Sequence, residues 1–347
     1  MPVHASVIIV TYNSERWIDS CLSAVQGQQF DGTYETIVVD NSSSDRTPEI
    51  VREKYPTVRF IDSENRGFGI ANNVAARYAE GDVLAFLNPD TCAAPRWLAA
   101  IIEPVVAAEV VTTSKVVLMD DPERINTCGN ILHITGFGFV GRYGKQSCNL
   151  SENFCVDGIS GAAFAMTRAD YERLGGFDED YFMYVEDSDL SWRIRNAGMR
   201  VVCATRSTVR HHYHTSMSPE KLCALEKGRV VLLRKHLDLC SWLVFAPSLL
   251  LSFVLSLVGS IMMSPLGVIS WCHGLCRGLR SEITSRSRGH SVMPLLTPVI
   301  PFEQISQNRA MLAVGALVNL IFRVNHWLGC RLLTPSGPRS APAHEGD

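Results

Sequence analysis

Ser6-Val7-Ile8-Ile9-Val10 is an almost wholly apolar, β-branched run that passes straight into Thr11-Tyr12-Asn13. A strand with one wet face alternates polar and apolar residues, whereas an unbroken run marks a strand covered on both faces, as in a parallel sheet. Thr36–Val39 (TIVV) and Val83–Leu87 (VLAFL) repeat the pattern. Between these runs the spacing predicts helices over Glu15–Val25, Thr47–Lys54 and Ile70–Tyr78. The second opens with a capping hydroxyl and Pro48 at the first helical position. Strand–helix–strand alternation predicts an α/β fold with a mostly parallel central sheet and helices on both faces. Ligands bind such sheets at the carboxyl ends of the strands, so the residues just after each strand are the ones to search.

The 347 residues fit one large α/β domain plus an appendage. The chain is 46% apolar, enough for a folded core, and its 32 basic against 35 acidic side chains lack the basic excess of a nucleic-acid binder. Eleven cysteines without paired spacing exclude a disulfide scaffold or a zinc ribbon, and a reducing compartment is expected. Cys272 and Cys276, one helical turn apart, read as packing residues. No basic region followed by an apolar stretch precedes the first strand, so a cytoplasmic start is expected.

Towards the carboxyl end the apolar runs lengthen. Trp242 to Met263 carries no charge and is long enough for a bilayer core of ~30 Å. Pro265–Cys276 continues it, and Arg277, Arg280, Arg286 and Arg288 follow. Ala310–Phe322 is a second run, short for a span. Arg234 and Lys235 precede the first run, so the charges choose no orientation. Membrane contact is favoured over a helix hairpin buried in a soluble domain, and a re-entrant or in-plane hairpin at anionic headgroups over a transmembrane span. The tail after Leu333, rich in Pro, Ser and Gly, predicts disorder. The expected division is 1–238, an α/β domain; 239–333, an apolar helical membrane-associated region; and 334–347, a tail.

Six stretches have the composition of a reactive site. Thr11 and Asn13 end the first strand. Asp40, followed by Asn41-Ser42-Ser43-Ser44-Asp45, ends the second, making a polar pocket suited to a pyrimidine ring whose N–H an acid accepts; a plain turn or helix cap is the alternative. In Glu64-Asn65-Arg66-Gly67-Phe68-Gly69-Ile70-Ala71-Asn72-Asn73, glycines open a helix whose free N–H groups favour an anion. Asn72 stands where a dinucleotide fingerprint needs its third glycine, which weakens a dehydrogenase reading. Asn88-Pro89-Asp90-Thr91 puts a lone carboxylate after a buried strand, fit for a divalent cation or for a simple turn. Tyr181-Phe182-Met183-Tyr184 leads into Glu186, Asp187 and Asp189, whose crowding raises carboxyl pKa values and suits a general base; a solvated helix start is the alternative. Arg210 to Ser216, after the strand Val201–Ala204, holds three imidazoles able to ligate a metal or phosphate.

In this order the six stretches resemble family 2 glycosyltransferases of the Rossmann-like GT-A fold, in their rhamnosyltransferase-like branch, over about Ser6 to His236. ENRGFGIANN leading to FLNPDT, and GAAFAMTRADYERLGGFDEDYFMYVEDSDLSWRIRNAG from Gly161 to Gly198, carry most of that likeness. The resemblance implies a nucleotide-diphosphate sugar donor (dTDP-rhamnose-like or a UDP-sugar), Mg²⁺ or Mn²⁺, and a glycan or polyprenyl-diphosphate-linked acceptor. It implies an inverting transfer at the cytoplasmic face of the membrane, in cell-surface polysaccharide synthesis. The processive QxxRW motif is absent, which implies transfer of a single sugar. By the same resemblance Thr11, Asn13 and Asp40 contact the base; Asn65, Gly67 and Asn73 lie under the ribose and diphosphate; and Asn88 and Asp90 fall on the DxD metal motif, with Asn at its first position. Asp187 is the catalytic base, with Glu186, Asp189, Trp192 and Arg193 on the acceptor side. A histidine among His211, His212 and His214 completes the metal shell, His212 and His214 being the candidates retained. Arg229, Arg234 and Lys235 meet an acceptor diphosphate or flank the membrane. The competing reading is a catalytically inactive subunit that keeps the fold to bind glycan or act as a scaffold.

Overall fold

The buried runs at the amino end form one half of a sheet. The computed structural model describes residues 4–213, 216–284, 295–305 and 307–333. Strands β1 (His4–Thr11), β2 (Thr33–Asp40), β3 (Arg59–Asp62) and β4 (Val83–Leu87) lie parallel in the order β4-β1-β2-β3. They are joined by α1 (Ile18–Gln26), α2 (Thr47–Lys54) and α3 (Phe68–Tyr78). Parallel register sets Thr11 opposite Asp40, so the polar residues ending two separate strands become neighbours.

The second half contains β5 (Thr91–Ala93), α4 (Trp97–Ala108), β6 (Val111–Leu118), β7 (Ile125–Thr127), β8 (Asn130–Leu132), β9 (Gly138–Val140), β10 (Phe154–Val156) and β11 (Ala163–Thr167). After them come α5 (Arg168–Leu174), α6 (Glu186–Asn196) and β12 (Val201–His211). Here the sheet is mixed. β11 runs antiparallel between β4 and β6, β12 is parallel to β6, and β10 is antiparallel at the edge. The apolar run of β11 looks like its parallel neighbours because burial on both faces, not strand direction, sets such a run. Side chains alternate between two layers. Val7, Ile9 and Val38 pack on α1 and α4, while Ile8, Val10 and Ile37 pack on α3 and α6.

Helices α7 (Pro219–His236), α8 (Leu239–Met263), α9 (Pro265–Arg280), α10 (Phe302–Ile305) and α11 (Arg309–Leu333) complete the chain. A third core joins Trp192 of α6 and Leu232 and Leu233 of α7 to Phe245 and Leu249 of α8 and Phe322 of α11. The apolar helices are thus seated on the sheet domain. α8 and α11 have 25 residues each and the length and composition to cross a membrane, and only 28% and 17% of their apolar windows are buried. That exposure disfavours the buried-hairpin alternative. α11 is also longer than its apolar run suggested, because Arg323, Asn325 and His326 continue the helix. Cys272 and Cys276 are exposed on α9, not packed as their spacing suggested. His214, Arg286, Arg288 and the tail after Leu333 lie outside the described residues.

Candidate active site

At the ends of β1 and β2 the side chains bond first to one another. Thr11, fully buried, donates its hydroxyl to Asp40 Oδ1 at 2.7 Å, and Ser43 donates its own to the same atom at 2.6 Å. Asp40 Oδ2 accepts one bond, from Ser43 N–H at 2.8 Å. Asn13, at φ +49°, donates its backbone N–H to Ser43 Oγ and accepts from Ser44 N–H, each at 2.8 Å. Two strand-end loops are thereby stitched into one polar floor.

The glycine-rich loop abuts this floor through Asn41, which donates to Gly67 O at 3.3 Å. Gly67 sits at φ +104°, and a Cβ there would stand 2.3 Å from Phe182 O. Only glycine meets both demands, and Phe68 N–H can then donate to Phe182 O at 2.9 Å. Asn65 accepts from Gly67 N–H at 3.3 Å. Asn73 does not lie open to a diphosphate. Buried, it donates to Phe177 O at 2.8 Å and accepts from Tyr171 Oη and Phe177 N–H, bonds that hold α3 on the Gly175-Gly176-Phe177 turn.

A cavity of about 460 Å³ opens beside the loop, lined among others by Phe68, Asn88, Asp90, His211, Glu186 and Asp187. β5 pairs antiparallel with β12 and sets His211 opposite Thr91, which brings the imidazole to Asp90. His211 Nδ1 lies 2.9 Å from Asn126 Oδ1, which accepts its proton, so in the neutral ring Nε2 is the nitrogen with the lone pair. That nitrogen is 3.3 Å from Asp90 Oδ1. Asp90 Oδ1 and Asn88 Oδ1 are both buried without a hydrogen-bond partner. Acceptors gathered this way repel unless a cation joins them, and the carboxylate and amide oxygens suit Mg²⁺ or Mn²⁺. Among the described residues no group of three His, Cys, Asp or Glu side chains forms a complete cage, so waters or substrate oxygens would fill the remaining positions. His212 is not the imidazole on Asp90. Its ring lies against Trp17, tilted by 31° with centroids 3.9 Å apart, because successive residues leaving a strand point to opposite sides.

The two carboxylates at the start of α6 differ in their partners. Asp187 Oδ2 accepts from Asn130 Nδ2 at 2.8 Å and Gly161 N–H at 3.3 Å, and Oδ1 accepts from Ser188 N–H at 2.7 Å. Burial raises its pKa and these donors oppose the rise. Glu186 Oε2 is buried with no partner. Burial, then the charge of Asp187, push its pKa up to about 8. Glu186 therefore keeps its proton through neutral pH, while the donors on Asp187 favour that side chain's charged form. Asn130 carried no local signal in the sequence, and Gly161 was legible only as the first residue of the 161–198 stretch.

The Glu186 shift has a consequence for stability. In the unfolded chain the group ionises near 4.5. Folding thus takes up a proton between that value and about 8, and stability falls as pH rises across the window. Its contribution to the slope is up to about 1.4 kcal/mol per pH unit. Glu186→Gln, which keeps the shape of the neutral acid, is expected to flatten the curve. Urea unfolding from about pH 5 to about pH 8.5 measures it, and equal slopes in parent and variant would refute the assignment.

The other members of the acidic run face away from the cavity. Asp189, 1% exposed, is bonded by Arg193 Nε and His236 Nε2, each at 2.8 Å. Burial raises its pKa, but Arg193 and His236 outweigh burial and hold it well below the usual carboxylate range. Arg193 also donates to the Leu174 and Gly176 carbonyls, and Trp192 is buried in the third core. These three brace α6 and do not line the acceptor side. The basic residues of α7 are engaged as well. Arg229 pairs with Glu226 at 2.6 Å, Arg234 donates to Gly278 O and Ser281 O, and Lys235 pairs with Asp178 and Asp180. None is free to meet an acceptor diphosphate, because each holds α7 in place.

The sheet order, the polar loops after β1, β2 and β4, and a carboxylate pair facing their cavity define the class: a GT-A glycosyltransferase. Residues 6–175 match the sequence family Glycosyl transferase family 2, and residues 145–215 match the N-terminal domain of galactosyltransferase. The chain belongs to the family 2 glycosyltransferases, in their rhamnosyltransferase-like branch. It is 27% identical to the rhamnosyltransferase WbbL of Escherichia coli over 222 residues, 60% of this chain and 83% of that protein. Over 232 residues it is 25% identical to the N-acetylglucosaminyl-diphospho-decaprenol L-rhamnosyltransferase of Mycobacterium tuberculosis, covering 59% of this chain and 75% of that one. The mannosyltransferase PcManGT of Pyrobaculum calidifontis, solved with GDP-Man and Mn²⁺, shares the fold at a TM-score of 0.52 and 20% identity. That match covers 96% of this chain and 85% of that one.

Proposed function

We propose that the chain is an inverting, divalent-metal-dependent glycosyltransferase. It moves one sugar from a nucleotide-diphosphate donor, dTDP-rhamnose-like or a UDP-sugar, to a glycan or polyprenyl-diphosphate-linked acceptor in cell-surface polysaccharide synthesis. The observation that carries the reading is the cavity itself. Asp187, whose donors favour its charged form, and the unpartnered oxygens of Asn88 and Asp90, with His211, line one chamber. The two rhamnosyltransferase relatives, one named for a decaprenol-diphosphate acceptor, support the donor and acceptor classes.

In this reading the base lies on the floor made by Thr11, Asn13 and Asp40, where Asp40 Oδ2 has capacity beyond its one bond to Ser43. The Asn65–Gly67 loop and the amino end of α3 receive the ribose and diphosphate. Asp90 and His211, with Asn88 beside them, would hold Mg²⁺ or Mn²⁺, which when bound offsets negative charge on the departing diphosphate. Asp187 takes the proton of an acceptor hydroxyl. The freed oxygen attacks the anomeric carbon on the face opposite the diphosphate, the carbon–oxygen bond to diphosphate breaks, and one displacement inverts the centre. Glu186, protonated, can donate a hydrogen bond to a sugar oxygen. The catalytic unit is residues 1–238. Residues 239–333 are its membrane-associated region, at the cytoplasmic face, where the exposed apolar sides of α8 and α11 meet lipid.

Release of nucleoside diphosphate from a panel of sugar nucleotides, with Mg²⁺, Mn²⁺ or a chelator, tests the reaction; the anomeric configuration of the product tests inversion. His211→Ala is expected to raise the metal concentration for half-maximal rate at least about tenfold, and His212→Ala to change it much less. Equal effects of the two substitutions, or full activity in chelator, would remove the metal from the mechanism. Failure of the full chain to float with anionic vesicles would remove the membrane.

A further inference from the structure

The cavity of the active site contains one unmatched cation. Among the described residues that line it, Lys221 is the only lysine or arginine. It stands in the first turn of α7, its Nζ 5.7 Å from the centre of the Tyr184 ring, and its hydrogen bond to Ser216 O is long at 3.5 Å. The other basic groups considered for acceptor binding, Arg229, Arg234 and Lys235, are consumed by internal partners. A half-buried ammonium to which the described residues offer no carboxylate is poised for a ligand carrying negative charge. Asp90 and His211 stand on the sheet wall of the chamber, whereas Lys221 stands on its helical wall, so a metal-bound leaving group and the lysine meet different parts of the bound substrates.

The surroundings of Lys221 are apolar. Met183, Val185 and Leu225 share its wall. The helix register adds a second observation. Arg229 donates to Ser252 Oγ at 3.2 Å and Ser256 donates to Glu226 at 3.3 Å, so α8 runs antiparallel to α7. Carried on by one turn, this places Lys221 level with the end of α8. Gly274 of α9 packs against Cys223 and Glu226, and Gly278 against Val230, so α9 starts at the same end of α7. The turn between α8 and α9, where Met262 and Leu266 are 74% and 62% exposed, therefore lies at the cavity end of α7. An ammonium inside the chamber and an apolar projection outside it are aligned on one helix end.

We infer that Lys221 is a specificity residue for the acceptor. It binds a phosphate or diphosphate that joins the accepting sugar to an apolar chain, and the chain leaves along the α8–α9 turn. The inference rests on the proposed transfer reaction and adds to it the residue that selects the acceptor.

Calorimetric titration of the full-length protein in detergent tests it, with geranyl diphosphate and inorganic pyrophosphate as probes. Both are titrated into protein saturated with UDP or dTDP, whichever the donor screen selects. Geranyl diphosphate is expected to bind beside the nucleotide and more tightly than pyrophosphate. Lys221→Gln should weaken that binding about 10- to 100-fold, and Lys221→Arg should retain it within about threefold. Nucleotide affinity in Lys221→Gln is expected to stay within about twofold of the parent, which also verifies that the variant is folded. Unchanged geranyl diphosphate affinity in Lys221→Gln, competition between this probe and the nucleotide, or pyrophosphate binding as tightly as the geranyl compound would each overturn the inference. A parent chain that turns over no sugar nucleotide would instead overturn the transfer reading.

Discussion

Replacing Asp187 by asparagine is expected to lower kcat for sugar transfer by about 10²- to 10⁴-fold with little change in the KM for the donor. The substitution keeps the size of the side chain and removes the cavity carboxylate that Asn130, Gly161 and Ser188 hold in place. Those donors aim the carboxylate without neutralising it, so the parent is ready to take a proton and the amide is not. Burial raises the pKa of Asp187, so the parent's rate should fall with acid at a pH above the ordinary carboxylate value of 3.8. Steady-state release of nucleoside diphosphate with a competent acceptor measures both effects. A variant within about threefold of the parent would show that another group takes the proton.

Arg229→Met should destabilise the folded chain by about 3–5 kcal/mol. Arg229 is 2% exposed. It donates through Nε and Nη2 to Glu226 and through Nη1 to Thr135 O and Ser252 Oγ, and its guanidinium lies 4.2 Å from the centre of the Phe253 ring. Removing it strands a buried carboxylate and cuts the tie between α7, the 135 loop and α8 in one change. The double substitution Arg229→Met, Glu226→Leu removes both charges and is expected to recover most of the loss, since replacing a buried pair costs far less than breaking it. Denaturant unfolding of the detergent-solubilised chain gives both numbers. A single-variant loss below about 1 kcal/mol would mean that water reaches the pair and that α8 is held by its apolar contacts alone.

Much of the reactive region was legible along the chain because the relevant groups follow directly on buried strands. Val83–Leu87 is strand β4 residue for residue, and Thr47–Lys54 is helix α2. Thr11, Asp40, Asn88 and Asp90 stand where an α/β sheet collects its ligands. Elsewhere the reading failed for a shared reason. Val201–Ala204 is only the start of a strand that runs to His211, so a histidine read as loop is a strand residue whose partner is chosen by pairing with β5. Asp189, Trp192 and Arg193 belong to the same motif as Asp187, yet on an 11-residue helix that motif covers more than one face. Which face looks into the cavity depends on α7, where Gly228 lets Val185 approach so closely that a Cβ would stand 2.7 Å from its Cγ2. Tyr184 and Val185 both take left-handed φ at that approach, of +66° and +71°, conformations that no local preference would select for a β-branched residue.

By itself the amino-acid sequence determined the α/β class, strands β1, β2 and β4 with helices α1 to α3 between them, the membership of family 2 and the apolar character of the last hundred residues. These depend on periodicity, burial and local chemistry, which are written residue by residue. Only the tertiary structure decided that His211 and not His212 meets Asp90, that Glu186 and not Asp187 lacks donors, and that the arginines of α7 are spent internally while Lys221 is left over. Each of these turns on which distant element lies alongside, and the free energy that selects the neighbour is spread over a packed interface with no short motif to announce it.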